Sequence, residues 1–346
     1  MATPSSTPYL DALQRDGYVH IPSLLTSSEL TTLRSAAGHI TSLARSGKWP
    51  HIRTVPKQFP PWPLTPPPAA EGGIWGVQHL LHPEMPGREA FARLYFSDRV
   101  LGIVEELVGV KKTNNNNANE DQDQKEPLTM ELLNLLVSPS GNVPFALRWH
   151  RDDIPTPPSL TPAQELQQLQ QKSPSHRPQS HAQYNIALYP DASLIVVPGS
   201  HRRARTQVER DADAYEDELP GQKVVRMEAG DAVFYDSNIW HRGVYRGVES
   251  GSASGEMGYI DALRMTVHGS VGVAEGDDDD GGKGGEGDKD KEGVRAKVVL
   301  QHGVGFWVKR DDAVFDSAVF GPRAEAMRKR LVEMGSGEGV GYALDG

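Results

Sequence analysis

Gly230-Asp-Ala-Val-Phe-Tyr-Asp-Ser-Asn-Ile-Trp-His-Arg-Gly-Val-Tyr245 holds two short β-branched and aromatic runs, 232–235 and 241–245, separated by an Asp-Ser-Asn break. Runs of this kind read as strands closed by turn residues. The pattern recurs at 131–138, 145–150, 183–188, 193–197, 223–227, 263–267 and 297–307, each bounded by Pro, Gly, Asp or Ser rather than by a regular helix. That spacing argues against a doubly wound α/β fold. It suits a sandwich or barrel, and a jelly roll closes its sheet edges in the way so many short strands require.

Helices flank this β region. Thr26 with Glu29 forms a capping box ahead of the leucines and alanines of 27–45, and Ser97 caps 98–108 with Asp98 in the first turn. Pro162 and Gln164 mark a helix starting after Thr161, and a last helix spans 323–334. The expected class is therefore mainly β with flanking helices (α+β). Three polar tracts, 112–126, 171–182 and 274–293, read as surface loops. Because apolar segments resume after each one, a single domain is expected: 1–130 as an N-terminal helical and lid portion, 131–310 as the core with insertions at 153–182, 247–260 and 274–293, and 311–346 as a C-terminal helix.

The 346 residues include no cysteine, which excludes disulfides, thiolate metal sites and a cysteine nucleophile. Any metal must sit on His, Asp or Glu. The formal charge is −10, yet nine acids stand against only three lysines between Glu275 and Glu292, so most of the excess belongs to one Gly-rich insert. There is no basic stripe interleaved with aromatics, and no membrane-length apolar run or targeting signal. A cytoplasmic protein acting on a small molecule is expected, with no nucleic acid, membrane or partner protein.

The chemistry concentrates in two segments. Leu147-Arg-Trp-His150-Arg-Asp152 sets a His and an Asp two residues apart, on one face of an extended chain, where they can chelate one metal. His241 follows the turn and strand of 230–235, which would bring it to the opposite wall of a barrel as a third ligand. Two imidazoles and a carboxylate form the facial triad of non-haem iron(II) oxygenases, and the same set binds zinc.

The surroundings resemble the phytanoyl-CoA dioxygenase family of 2-oxoglutarate-dependent oxygenases. The likeness is carried by Asp16-Gly-Tyr-Val-His-Ile-Pro22 and the helix after it, by Trp149-His-Arg-Asp152, by Leu194-Ile-Val-Val-Pro-Gly-Ser-His201, by Gly230-Asp-Ala-Val-Phe234 and by Trp240-His-Arg-Gly243, in that order. The resemblance implies a double-stranded β-helix, the cupin-like jelly roll, with Fe(II) on His150, Asp152 and His241. It also implies 2-oxoglutarate and O2 as cosubstrates, hydroxylation or desaturation of an unactivated C–H, and succinate and CO2 as co-products. Retention of Asp152 favours oxygenation over halogenation.

By the same resemblance an Arg on the next strand, two residues before a hydroxyl, grips the distal carboxylate of 2-oxoglutarate. Arg264 with Thr266 has that form, although Arg264 lies 23 residues after His241 because 247–258 reads as a loop insertion. Arg246 is the rival, at an odd offset that would face it away from the metal. Asn134, and Gln183 or Asn185, are polar residues in apolar strands that either hydrogen-bond 2-oxoglutarate or serve structure. Tyr184 points the other way. His201 is expected to hold the turn of its motif, Asp153 to face outward and salt-bridge, and Trp75, Gln78, His79 and His82 to serve core or loop. The other readings are a cupin-type metalloenzyme that does not use 2-oxoglutarate and a non-catalytic scaffold.

Overall fold

The computed structural model describes residues 6–110, 126–141, 143–172, 180–245, 264–274 and 294–336. Arg246 and most of the expected insertions at 247–260 and 274–293 lie outside them. Eleven strands are found among the described residues: β1 (Tyr18–Ile21), β2 (Ile52–Thr54), β3 (Ile74–Val77), β4 (Leu128–Val137), β5 (Phe145–Ala146), β6 (His181–Ala187), β7 (Leu194–Val197), β8 (Lys223–Val224), β9 (Ala232–Tyr235), β10 (Trp240–Tyr245) and β11 (Met265–Val273). They form a seven-stranded sheet ordered β1-β9-β6-β11-β4-β3-β2 and a four-stranded sheet ordered β5-β10-β7-β8, with every pairing antiparallel. This is the double-stranded β-helix, with helices flanking it.

Strand alternation decides which face is which. On β11, Met265, Val267 and Val271 join the main hydrophobic core, while Thr266, His268 and Ser270 point to the other side. β4 and β6 follow suit: Leu133, Leu135, Tyr184 and Ile186 enter that core, and Asn134, Gln183 and Asn185 share the polar side. Helices cover the apolar face. α1 (Pro8–Asp16), α2 (Ser27–Arg45), α3 (Arg88–Tyr95) and α4 (Asp98–Val108) come from the N-terminal part, with α2 against β3 and α4 against β6. Each core side chain sealed there stabilises the fold by roughly 1.5–3 kcal/mol. The caps expected at Thr26 and Ser97 are formed, with both bonds of the Thr26–Glu29 box present.

Past the first core strand, α5 (Pro162–Lys172) begins where Thr161 and Gln164 predict, and α6 (Gln207–Asp211) follows the Pro-Gly-Ser-His turn. The run 297–307 is not a strand. It is helical, as α7 (Val294–Val299), a π turn (Leu300–Val304) and α8 (Gly305–Val308). Its buried residues Ala296, Val299, Leu300, Val304, Trp307 and Val308 recur mostly at three- and four-residue steps, a helical period that its β-branched composition hides. α9 (Ser317–Phe320) and α10 (Pro322–Met334) are the last helices among the described residues, with α10 against β4.

Three other expectations change. Segment 1–130, read as a helical and lid portion with one extended run at 18–22, supplies that run as β1 and also gives β2 and β3 to the larger sheet. Segment 223–227 keeps only two residues in β8, and Met227 forms an isolated bridge to Asp191. The run 145–150 is strand only at Phe145–Ala146. Ala146 pairs with Val244 and His150 with His241, so one side advances four residues and the other three. In between, the Trp149 amide turns away to the Ala214 carbonyl at 2.8 Å. One extra residue in a paired strand is a bulge, and here it sets the direction of His150.

Candidate metal centre

His150 and His241 face each other across a two-residue bridge, His150 N to His241 O at 3.0 Å and His241 N to His150 O at 3.1 Å. Directly opposed residues project to the same side, and the ring centroids lie 4.3 Å apart. His241 is therefore beside His150 on the same small sheet, not on an opposite wall, because the bulge brings the end of the β5 segment back onto β10. Asp152 is anchored by its amide to the Ser237 carbonyl at 2.7 Å. Its oxygens lie 3.4 Å from His150 Nε2 and 3.6 Å from His241 Nε2. One donor atom from each residue falls within 4.8 Å of the others, and this is the one such group of three among the described residues.

The protein also prepares each donor. His150 Nδ1 lies 2.8 Å from the Arg148 carbonyl and His241 Nδ1 2.9 Å from the Ile239 carbonyl. A carbonyl only accepts, so both Nδ1 atoms carry the proton and both Nε2 lone pairs point to the shared space. Burial, then the neighbouring His150, lowers the His241 pKa to about 4, which keeps the ring neutral at physiological pH. Burial alone would raise the Asp152 carboxyl, but His241, His150 and Gln183 together hold it well below the usual range. The Gln183 amide donates to Asp152 Oδ2 at 2.8 Å. Two neutral imidazoles and an ionised carboxylate fit a divalent metal, and Asp152, with 34% of its side-chain surface exposed, leaves the site open to incoming ligands.

Arg264 is almost buried. Its Nε donates to Asp191 Oδ2 at 3.2 Å, Thr266 Oγ1 donates to the same oxygen at 2.8 Å, and the guanidinium lies 4.3 Å over the Tyr245 ring. Arg264 Nη1 is buried without a hydrogen-bond partner. A buried cation with one donor left unmet is a ready anion site, and a carboxylate in the adjoining space would satisfy it. Thr266 thus acts on Asp191, which in turn holds Arg264. His268, whose Nδ1 pairs with Asn185 Oδ1 at 3.0 Å, lies where the charges of Arg53, Asp152 and Arg264 all act on it. Burial, then Arg53 and Arg264, outweigh the opposing pull of Asp152 and lower its pKa to about 3, so it stands as a neutral imidazole among charged groups.

The remaining candidates divide. Asn134 Oδ1 accepts the His79 amide at 3.0 Å, a structural bond that fixes the segment after β3. His201 Nε2 pairs with the Gln14 carbonyl at 3.2 Å and ties the Pro-Gly-Ser-His turn to α1. Asp153 is half-buried rather than turned outward; it accepts from Ser237 at 2.6 Å and pairs with Arg295 at 3.4 Å, the salt-bridging role expected of it. Trp75 packs with Phe145 and Tyr245 beside Arg264, while His79 and His82 surround Phe306. Three further residues of this region, Asp191, His268 and Arg53, escape a reading of the sequence. Asp191 sits in Tyr189-Pro-Asp191-Ala-Ser193, where its bonds to the Ser193 amide and hydroxyl make it a turn former, and that local reading conceals its contact with Arg264.

The fold and this donor set place the chain among the 2-oxoglutarate-dependent non-haem iron oxygenases, which work with iron and 2-oxoglutarate. The model of the phytanoyl-CoA dioxygenase (PhyH) family matches residues 13–244, and the chain belongs to that family. The match includes the three candidate ligands and ends before Arg264. No curated protein matches the chain. Among solved structures it is similar to EctD from S. alaskensis, determined with 2-oxoglutarate and 5-hydroxyectoine, at 17% identity over 78% of this chain and 77% of that one, TM-score 0.49. HygX from Streptomyces hygroscopicus, with nickel and 2-oxoglutarate bound, gives 16% identity over 79% and 89%, TM-score 0.48. The non-heme alpha ketoglutarate dependent epimerase SnoN from nogalamycin biosynthesis gives 17% over 77% and 82%, TM-score 0.43.

Proposed function

We propose that the protein hydroxylates or desaturates an unactivated C–H bond of a small organic metabolite, with Fe(II) held by His150, Asp152 and His241 and the distal carboxylate of 2-oxoglutarate held by Arg264. The observation that carries this reading is the pairing of a three-donor metal set with a buried guanidinium that has one donor unmet on the same side of the larger sheet. When bound, iron(II) and 2-oxoglutarate supply oxidative decarboxylation by dioxygen, which releases succinate and carbon dioxide and delivers oxidising power to the substrate.

The chain's own residues prepare that chemistry. The two carbonyl-locked imidazoles present neutral Nε2 donors, and Asp152 remains ionised with one oxygen steered by Gln183. Asp191 and Thr266 fix the angle of Arg264, so a dicarboxylate is gripped at one end by a planar fork. Trp75, Phe145 and Tyr245 wall the Arg264 side with aromatic surface, which excludes water and strengthens the ion pair.

The test is an anaerobic titration of the apoprotein with Fe(II) and 2-oxoglutarate, following the visible charge-transfer band of the chelate. The wild type should show the band, His150→Ala should lose it, and Arg264→Ala should need at least about tenfold more 2-oxoglutarate, the order expected for losing a charge-assisted bond. Tight metal binding without any band would instead favour a metalloenzyme that does not use 2-oxoglutarate.

A further inference from the structure

A second guanidinium reaches the same side of the sheet. Arg53 on β2 stands opposite Gly76 on β3, Gly76 opposite Leu136 on β4, and Leu136 opposite Thr266 on β11, so these four residues form one row across four strands and share a face. Three steps of about 4.8 Å separate the two ends of the row, and a long side chain lying inward shortens that gap. Gly76 is what lets it lie there. A Cβ at Gly76 would stand 3.0 Å from Arg53 Cδ and 3.3 Å from its Cβ and Cγ, tight enough to displace the stem.

The end of the side chain is placed by aromatic rings. The guanidinium lies 5.2 Å from the Trp75 ring centroid and 5.5 Å from that of Trp62, and Trp75 stacks on Tyr245, which also carries Arg264. Ring contacts satisfy the face of a guanidinium and leave its N–H edge unmet. Arg53 Nε is buried without a hydrogen-bond partner, and no carboxylate of the described residues forms an ion pair with Arg53. Asp152 is the carboxylate whose charge reaches it, and in the proposed function Asp152 is committed to metal. Arg264 differs, since Asp191 already neutralises it in part.

We infer that Arg53 binds an anionic group of the primary substrate, a carboxylate or a phosphate, and so restricts the enzyme to acidic metabolites. The inference rests on the function proposed above: 2-oxoglutarate fills the metal and Arg264, and Arg53 is a cation on the same face left without a carboxylate among the described residues.

The experiment uses the full chain loaded anaerobically with Fe(II) and saturating 2-oxoglutarate, titrated calorimetrically with hexanoate, hexyl phosphate and the neutral hexanamide. The wild type should bind one or both anions at least about tenfold more tightly than the amide, and whichever anion binds better identifies the group. Arg53→Gln should weaken that anion at least about tenfold while the charge-transfer band still forms, which also shows that the variant is folded. Arg53→Lys should recover part of the loss, and Gly76→Ala, which keeps the charge but fills the cradle, should weaken the anion too. Equal binding of the amide and the anions overturns the inference. So does a rise in 2-oxoglutarate demand in Arg53→Gln with anion binding unchanged, which would assign Arg53 to the cosubstrate. A wild type with no band removes the proposed function itself, whereas a band without anion preference removes only the role of Arg53.

Discussion

At the scale of single residues, Asp191 links structure to chemistry. It is nearly sealed, accepts hydrogen bonds from Ser193, Thr266 and Arg264, and is the carboxylate that makes burial of Arg264 tolerable. Asp191→Asn should therefore cost about 3 kcal/mol in denaturant unfolding, the order found when one partner of a buried pair is removed. The pH dependence carries a definite sign. Burial pushes the Asp191 carboxyl up, but Arg264, Ser193 and Thr266 outweigh it and hold its pKa below the ordinary value of an aspartate. A depressed acid contributes stability that is present above its unfolded pKa of about 3.9 and is lost as pH falls through the lower folded value. The wild type should lose this part of its stability below pH about 4, and the Asp191→Asn variant should show a flatter curve there. Gln183→Ala should leave the fold intact and weaken metal binding about tenfold or more, since Asp152 loses the donor that orients it; competition with a chelator of known affinity measures this. The candidate ligands are legible in the sequence because the alternate placing of His150 and Asp152, and the order of the motifs around them, are local signals. Asp191, His268 and Arg53 are not, because each acts through a partner distant in the chain and looks locally like a turn former or an ordinary strand residue.

At the scale of elements, the sequence misleads where composition and period disagree. The helical stretch 294–308 is rich in Val and so resembles a strand, while its burial pattern has the helical step. β2 and β3 flank a Pro-rich tract and offer no alternation to read. Helix ends are legible because their signals are chemical and short range: the Thr26–Glu29 box forms as predicted, and Thr26→Ala should cost about 1 kcal/mol in thermal unfolding without altering metal affinity. α5 carries more than its place in a loop insertion suggests. Its Glu165 is fully buried and accepts from Arg151, Arg205 and Arg210, and Arg151 stands between His150 and Asp152. The helix thus braces the ligand segment from outside. Glu165→Ala should destabilise the protein by about 3–5 kcal/mol, because three cations would lose a buried carboxylate, and should weaken metal binding as well, a pair of effects that unfolding and metal titrations on one sample separate.

For the molecule as a whole, the two sheets divide labour. The larger sheet turns one face to the helices and the other to a polar interior, and the smaller one presents two imidazoles to that interior. Ligands that bind only the folded state stabilise it by an amount set by concentration over Kd, about 2.7 kcal/mol at roughly a hundredfold excess. Iron(II) should raise the unfolding temperature, 2-oxoglutarate should raise it further only when the metal is present, and His241→Ala should abolish both shifts in a thermal scan. Among the described residues no helix is long and apolar enough to cross a membrane.

The paired backbone of His150 and His241 has a kinetic meaning. Because their mutual hydrogen bonds set the spacing of the two rings, the backbone fixes the cleft between them, and an incoming ion should have little rearrangement to wait for. Metal capture should be limited by how fast ligand water leaves the ion. The two amides should exchange slowly with deuterium even in the empty protein, which makes them built-in gauges of whether the jaws of the site have come apart.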